Sequence, residues 1–234
     1  MRLYTLAKPP VRLLLQVVWR PRLVGVENLP RHGPVILASN HVSAADTYVM
    51  PALVPRPVTF LGKAGLFDGS WRARALGMLL RNLAVMPVDT SGGTRAEGAI
   101  RAGIAVLESG EVLGIYPEGT RSPDGRMYRG KTGAARMALA VGCPIVPVAM
   151  LGAFEARGRF LPALRPRITV VLGEPLDPSE IGSEGQGVRD SRRIRRVTDE
   201  LMRRIGELSG QEYVDEYAAD VKRRMRSDGK AASP

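Results

Sequence analysis

Four apolar residues, Val35-Ile36-Leu37-Ala38, follow Gly33-Pro34 and run straight into Ser39-Asn40-His41-Val42-Ser43-Ala44-Ala45-Asp46. A short apolar run opened by turn residues reads as a buried strand. Polar residues at the end of such a strand constrain the fold, because open α/β sheets build their sites at the C-terminal edge. The same pattern recurs along the chain. Strands are expected over Leu23–Val26, Val58–Gly62, Ala84–Val88, Val112–Tyr116, Ile145–Met150 and Ile168–Leu172. Helical patterns stand between several of them: Val11–Trp19, a short helix ending at Met50, Trp71–Leu80, the stripe Ile100, Ile104, Leu107, and a helix from Lys131-Thr132-Gly133 to Val141. This alternation argues for one α/β domain with a central sheet flanked by helices.

His41 and Asp46 are five residues apart, about 140° around a straight helix. They meet only if the chain turns between them. A histidine held by a carboxylate is an arrangement for activating a weak hydroxyl nucleophile as general base. Ser43-Ala44-Ala45-Asp46 also fits a capping box, opening a helix that Pro51 stops. The residues alone leave both readings of Asp46 open. His32, in the loop Pro30–Pro34, has no partner nearby and reads as solvated.

Charge narrows the partners. The balance is 34 − 23 = +11, mostly arginine, which favours polyanions: a phosphorylated substrate, an anionic membrane or nucleic acid. Nucleic acid rests on charge alone, since aromatic content is 5% and no stacking residues interleave the arginines. A single cysteine, Cys143, excludes an internal disulfide and reads as core. Two histidines and one cysteine, scattered, give no metal cluster. No apolar run reaches 18 residues and no signal-peptide cleavage site follows the first one.

Val11–Trp19 is apolar but for Arg12 and Gln16, with Pro9-Pro10 expected at the start of the helix and Pro21 after it. Its narrow polar edge, its terminal Trp19 and the flanking Arg2, Lys8, Arg20 and Arg22 suit a helix lying in an anionic membrane surface. Residues 1–22 are therefore expected to associate with the cytoplasmic face of the cell membrane as a peripheral segment. Residues 188–226 form a C-terminal helical extension, with one stripe at Ile194, Val197, Leu201, Ile205 and Leu208 and a second helix carrying Tyr213, Tyr217 and Val221. Residues 227–234 read as a disordered tail.

Gly125-Arg126-Met127-Tyr128-Arg129-Gly130-Lys131-Thr132 matches the phosphate-loop pattern GxxxxGK[ST]. That motif needs a strand running directly into its first glycine. Here the strand ends near Tyr116, Ser122-Pro123-Asp124-Gly125 intervenes as a turn, and no later strand ends in a magnesium-binding aspartate. A nucleotidase is the lesser reading.

Asn40-His41-Val42-Ser43-Ala44-Ala45-Asp46 resembles the NHxxxxD motif of the 1-acylglycerol-3-phosphate acyltransferase family. Glu118-Gly119-Thr120-Arg121-Ser122 resembles its EGTRS motif, Phe60–Phe67 its lysine-containing block, and Pro144–Val148 its fourth, apolar block. All four occur in the family's order, between about Val24 and Leu176. The resemblance implies a mixed sheet of about seven strands in an acyltransferase core over residues 23–178. It implies acyl transfer from acyl-CoA or acyl carrier protein to the hydroxyl of lysophosphatidate, with glycerol 3-phosphate or another lysolipid as alternative acceptor. The thioester is a co-substrate, and no bound cofactor is expected. His41 is then the base and Asp46 its partner. Asn40, Lys63, Glu118, Gly119, Thr120 and Arg121 line the substrate site. Arg121 would grip the acceptor phosphate through its planar fork, helped by Lys63, while Glu118 orients that arginine or holds the loop. Where the family commonly has arginine after its fourth strand this chain has Thr90, with Arg95 nearby.

Overall fold

A computed structural model describes residues 2–63, 85–88, 95–155, 167–182 and 190–231. Alternation within one strand accounts for the layering. In Val35–Ser39, Val35 and Leu37 enter one apolar cluster while Ile36 and Ala38 enter another. Every residue of this strand is buried, as expected where helices cover both faces of a parallel sheet.

The strands, in chain order, are β1 (Arg22–Val24), β2 (Val35–Ser39), β3 (Val58–Lys63), β4 (Val85–Val88), β5 (Val112–Ile115), β6 (Met127–Tyr128), β7 (Ile145–Leu151), β8 (Thr169–Leu172) and β9 (Tyr213–Val214). The helices are α1 (Arg2–Val18), α2 (Asp46–Leu53), α3 (Arg95–Glu108), α4 (Gly133–Val141), α5 (Ser191–Ser209) and α6 (Ala218–Ala231). Seven strands form one sheet in the order β1-β8-β7-β2-β5-β3-β4. β8 runs antiparallel to β7, and the five strands from β7 to β4 are parallel, so the sheet is mixed. The expected α/β architecture holds. Leu15 of α1 and Val49, Met50 and Leu53 of α2 pack on one face. Ile100 and Leu107 of α3, Ala134 and Met137 of α4, and Val197, Leu201 and Ile205 of α5 pack on the other. Cys143 is in that second cluster, and burial pushes its thiol up to about 11.

Several expectations change. The prolines do not start the first helix: α1 begins at Arg2 and carries Pro9 and Pro10 inside it. Their missing N–H groups leave the carbonyls four residues earlier without a helical donor. Lys8 is not free to face a membrane, because its ammonium donates to the Val54 carbonyl at the end of α2. Trp19 packs partly against the core. α2 continues past Pro51 to Leu53. Leu23–Val26 is not wholly strand, because β1 stops at Val24 and Val26–Asn28 forms a 3₁₀ turn. Tyr213 and Val214 form strand β9 rather than the start of a helix, and α6 runs on to Ala231 through part of the expected tail. The expected helix Trp71–Leu80 and Thr90 lie outside the described residues.

Candidate active site

β2 and β5 are neighbours in parallel register, with Ala38 opposite Ile115. Their C-terminal ends therefore lie side by side, and His41 and Glu118, far apart in sequence, emerge together. The two loops are joined through backbone groups. The His41 N–H donates to Glu118 Oε1 at 3.2 Å, and the His41 carbonyl accepts from the Ser122 N–H at 2.7 Å. Glu118 Oε2 takes the Tyr128 N–H at 3.0 Å. Glu118 thus holds the loop, and it makes no hydrogen bond to Arg121 among the described contacts. Burial pushes its carboxyl up to about 7, against the two backbone N–H groups and the Lys222 charge, which pull it down; Asp46 adds to the rise.

The turn between His41 and Asp46 is closed by one atom. Asp46 Oδ2 accepts from the Val42 and Ser43 N–H groups, both at 2.8 Å, and lies 3.0 Å from His41 Nδ1. The Ser43 bond is half of the anticipated capping box, but Ser43 Oγ accepts from Ala45 N–H instead of completing it. The cap and the histidine partner are therefore the same carboxylate oxygen. Asp46 is fully buried, and its Oδ1 has no partner among the described residues. With Nδ1–H donated to the carboxylate, Nε2 is left as the basic nitrogen. The imidazole stacks on Tyr116, ring centroids 3.9 Å apart, and Phe60 stacks behind Tyr116 at 5.7 Å. An imidazolium formed during proton transfer would meet the π face of Tyr116.

The remaining expected residues divide. Asn40 is buried; its Oδ1 accepts the Met150 N–H at 2.7 Å and its Nδ2 donates to Gln211 Oε1 at 2.7 Å. It ties β2 to β7 and to the C-terminal segment. Gly119 has φ 72, and a Cβ there would stand 3.0 Å from Lys131 Nζ. Glycine thus allows both the turn and the approach of Lys131. Thr120 Oγ1 accepts from Lys222 Nζ at 2.8 Å. Arg121 is exposed, and no hydrogen bond or ion pair engages it among the described residues. Lys63 ends β3, beside β5 at the same sheet edge. Sequence reasoning missed Lys131, Lys222, Gln211 and Tyr116. Only Lys131 carried a signal, as part of the glycine-rich match.

That match is not a phosphate loop. Met127 and Tyr128 inside it are buried in β6. The N–H groups of Arg126, Met127, Tyr128, Arg129 and Lys131 already donate, to Asp124, Glu212, Glu118, Glu216 and Pro117. A cradle of free backbone donors is what the motif needs. Among the described residues no group of His, Cys, Asp and Glu is placed to hold a metal ion.

A histidine–carboxylate pair at a sheet edge, with the exposed Arg121 in the adjoining loop, suits transfer chemistry on an anionic substrate. The family model described as Acyltransferase matches residues 20–151, more than half of the chain. The protein belongs to the Acyltransferase family. It is 26% identical over 208 residues to the 1-acyl-sn-glycerol-3-phosphate acyltransferase of Bacillus subtilis, covering 88% of this chain and 96% of that one. It is 31% identical over 128 residues to the protein of the same name from Borreliella burgdorferi, covering 55% of this chain and 50% of that one. The crystal structure of the 1-acyl-sn-glycerophosphate (LPA) acyltransferase, PlsC, from Thermotoga maritima superposes with a TM-score of 0.65 at 25% identity, covering 88% and 80% of the two chains.

His41→Ala is expected to lower turnover by about 10²–10⁴-fold, the usual worth of a general base. Asp46→Asn should do the same with only a modest fall in thermal midpoint, because the amide oxygen can keep the Val42 and Ser43 bonds while the negative charge facing the imidazole is lost. Turnover per folded molecule separates the two roles: if it is unchanged in Asp46→Asn, the carboxylate only caps α2. Glu118 makes a second expectation. Its carboxyl is raised from 4.5 to about 7, so the native state binds the extra proton. Its contribution to stability is full below about pH 4.5 and is lost as pH rises through about 7. Chemical denaturation at pH 5 and pH 8 should show that fall, up to about 3 kcal/mol from this group, and Glu118→Gln should flatten it.

Proposed function

We propose that the protein moves a fatty acyl chain from a thioester, acyl-CoA or acyl carrier protein, to the free hydroxyl of 1-acyl-sn-glycerol-3-phosphate, giving phosphatidate. The observation that carries this is His41 held at Nδ1 by Asp46, 3.0 Å away, with the exposed Arg121, unengaged among the described residues, in the loop that follows the neighbouring strand β5. His41 Nε2 removes the acceptor hydroxyl proton as the oxygen attacks the thioester carbonyl. Asp46 and the face of Tyr116 stabilise the imidazolium. The tetrahedral intermediate collapses, the C–S bond breaks, and the imidazolium returns its proton to the leaving thiolate. Arg121 grips the acceptor phosphate with two hydrogen bonds, and Lys131 beside Gly119 and Lys63 at the end of β3 add positive charge. No serine or cysteine nucleophile is required.

The lipid substrates bear on α1. Leu13, Leu14 and Val17 are 69%, 62% and 67% exposed, while Leu15 anchors the opposite side at 4%. Isolated apolar side chains on a surface are ordinary, but three adjoining ones on a helix mark an interaction face. The helix has 17 residues, about 26 Å long, and no described helix is long and apolar enough to cross a membrane. We place α1 flat in the interface of an anionic membrane, on its cytoplasmic side, with Leu13, Leu14 and Val17 among the acyl chains.

Thioester release measured over lysophosphatidate, glycerol 3-phosphate and other lysolipids tests the acceptor. Lysophosphatidate should be preferred, and a wild-type preference for another acceptor would overturn the reading. Arg121→Lys keeps the charge but not the fork, so KM for lysophosphatidate should rise by about tenfold, from roughly 1–2 kcal/mol of lost charged hydrogen bonding, while slow hydrolysis of the thioester by water is little changed. A triple change of Leu13, Leu14 and Val17 to serine should abolish sedimentation with phosphatidylglycerol vesicles and leave the circular dichroism spectrum unchanged. Full vesicle binding by that variant would refute the placement of α1.

A further inference from the structure

The family match ends at residue 151, yet residues beyond 210 make several contacts to the catalytic loops and the segment behind them. Gln211 Oε1 accepts from Asn40 Nδ2 at 2.7 Å, and its Nε2 donates to the Gly125 carbonyl. β9 lies parallel to β6, with the Met127 N–H on the Glu212 carbonyl and the Arg129 N–H on the Glu216 carbonyl, both at 2.9 Å. Tyr128, between them, is fully buried against Ala218 and Val221 of α6 and donates its own N–H to Glu118. Lys222 of α6 donates to Thr120 Oγ1 at 2.8 Å.

We propose that the segment from Gln211 to Lys222 is a strap that positions the catalytic histidine. One route runs from Gln211 to Asn40, the residue before His41. The other runs from β9 through Tyr128 and Glu118 to the His41 N–H. Lys222 acts on the second route. Glu118 faces two backbone N–H groups, the Lys222 cation and the Asp46 carboxyl. As an ionised carboxylate it offers both oxygens to the two N–H donors, and Lys222 favours that form. Gln211 and Lys222 are positioning residues, acting through Asn40 and Glu118 and not on the substrate.

The test uses the full chain and three variants: Gln211→Leu, Lys222→Met and Lys222→Arg. Gln211→Leu should lower kcat by about tenfold, as a slightly misplaced base does, with KM for lysophosphatidate within about twofold. Lys222→Met should move the acid limb of the kcat profile up by about half a pH unit, and Lys222→Arg should restore it. Hydrogen exchange of the 39–46 peptide should quicken in Gln211→Leu and Lys222→Met. This last readout needs no activity, so it judges the strap even if the acyltransferase reading fails, which would appear separately as a wild type that acylates no acceptor. Wild-type exchange over 39–46 together with wild-type kcat and pH profile in both variants would overturn the strap. So would a loss of activity that only follows the fraction of folded protein.

Discussion

One buried carboxylate, Glu118, couples the two halves of the site. Its two oxygens face the His41 N–H and the Tyr128 N–H, so the loop after β2, the loop after β5 and the small β6–β9 sheet share a single acceptor group. Leaving a buried backbone donor without a partner costs on the order of 1–3 kcal/mol. Movement of the His41 loop away from Glu118 exposes the His41 N–H to that cost, and movement of Glu118 itself exposes both donors. The bond from the Ser122 N–H to the His41 carbonyl closes the backbone from the other side. The histidine is therefore fixed at its backbone by one motif and at its ring by Asp46 of its own motif.

The polar cluster sits where an open sheet leaves room for it. β2 is central, between β7 and β5, and its side chains are buried on both faces until Ser39. Beyond that point no further strand pairing satisfies the backbone, and side chains do so instead: Asn40 for Met150, Asp46 for Val42 and Ser43, Glu118 for His41. Arg121 differs from the many arginines of α5. There Arg195 pairs with Asp199, and Arg203 and Arg204 pair with Glu200, so part of the positive charge on that helix is internally compensated. Arg121, exposed and without a hydrogen bond or ion pair among the described residues, stands beside the His41 loop.

Much of this was legible in the order of residues. Apolar runs of strand length, the helical stripe Ile100, Ile104, Leu107 and the seam Val197, Leu201, Ile205 place the elements within a residue or two, because burial on two faces of a sheet demands those periods. The His41–Asp46 pairing was legible only as one of two readings of Asp46, raised by the resemblance to the NHxxxxD motif, since spacing alone permits a cap as well. Prolines misled: Pro9, Pro10 and Pro51 mark helix boundaries by local propensity, yet each lies inside a helix whose packing on the core outweighs the lost hydrogen bond. The spacing of Tyr213 to Tyr217 and Val221 fits a helix, whereas the Tyr213 backbone pairs with β6.

The order of residues determined which side chains stand at strand ends and which face of each helix is apolar, since these depend on neighbours a few positions away. It left open whether His41 and Asp46 meet, because that needs a turn between them, and the turn is seen only where Asp46 Oδ2 takes the Val42 and Ser43 N–H groups. Only the tertiary structure decided that β5 lies beside β2, and with it that Glu118 reaches the His41 backbone. Parallel neighbours are joined through long connections, and strand order in a sheet is chosen by packing of the whole domain. The same holds for Gln211 and Lys222: their contacts arise from where α5 and α6 dock, which no local pattern encodes.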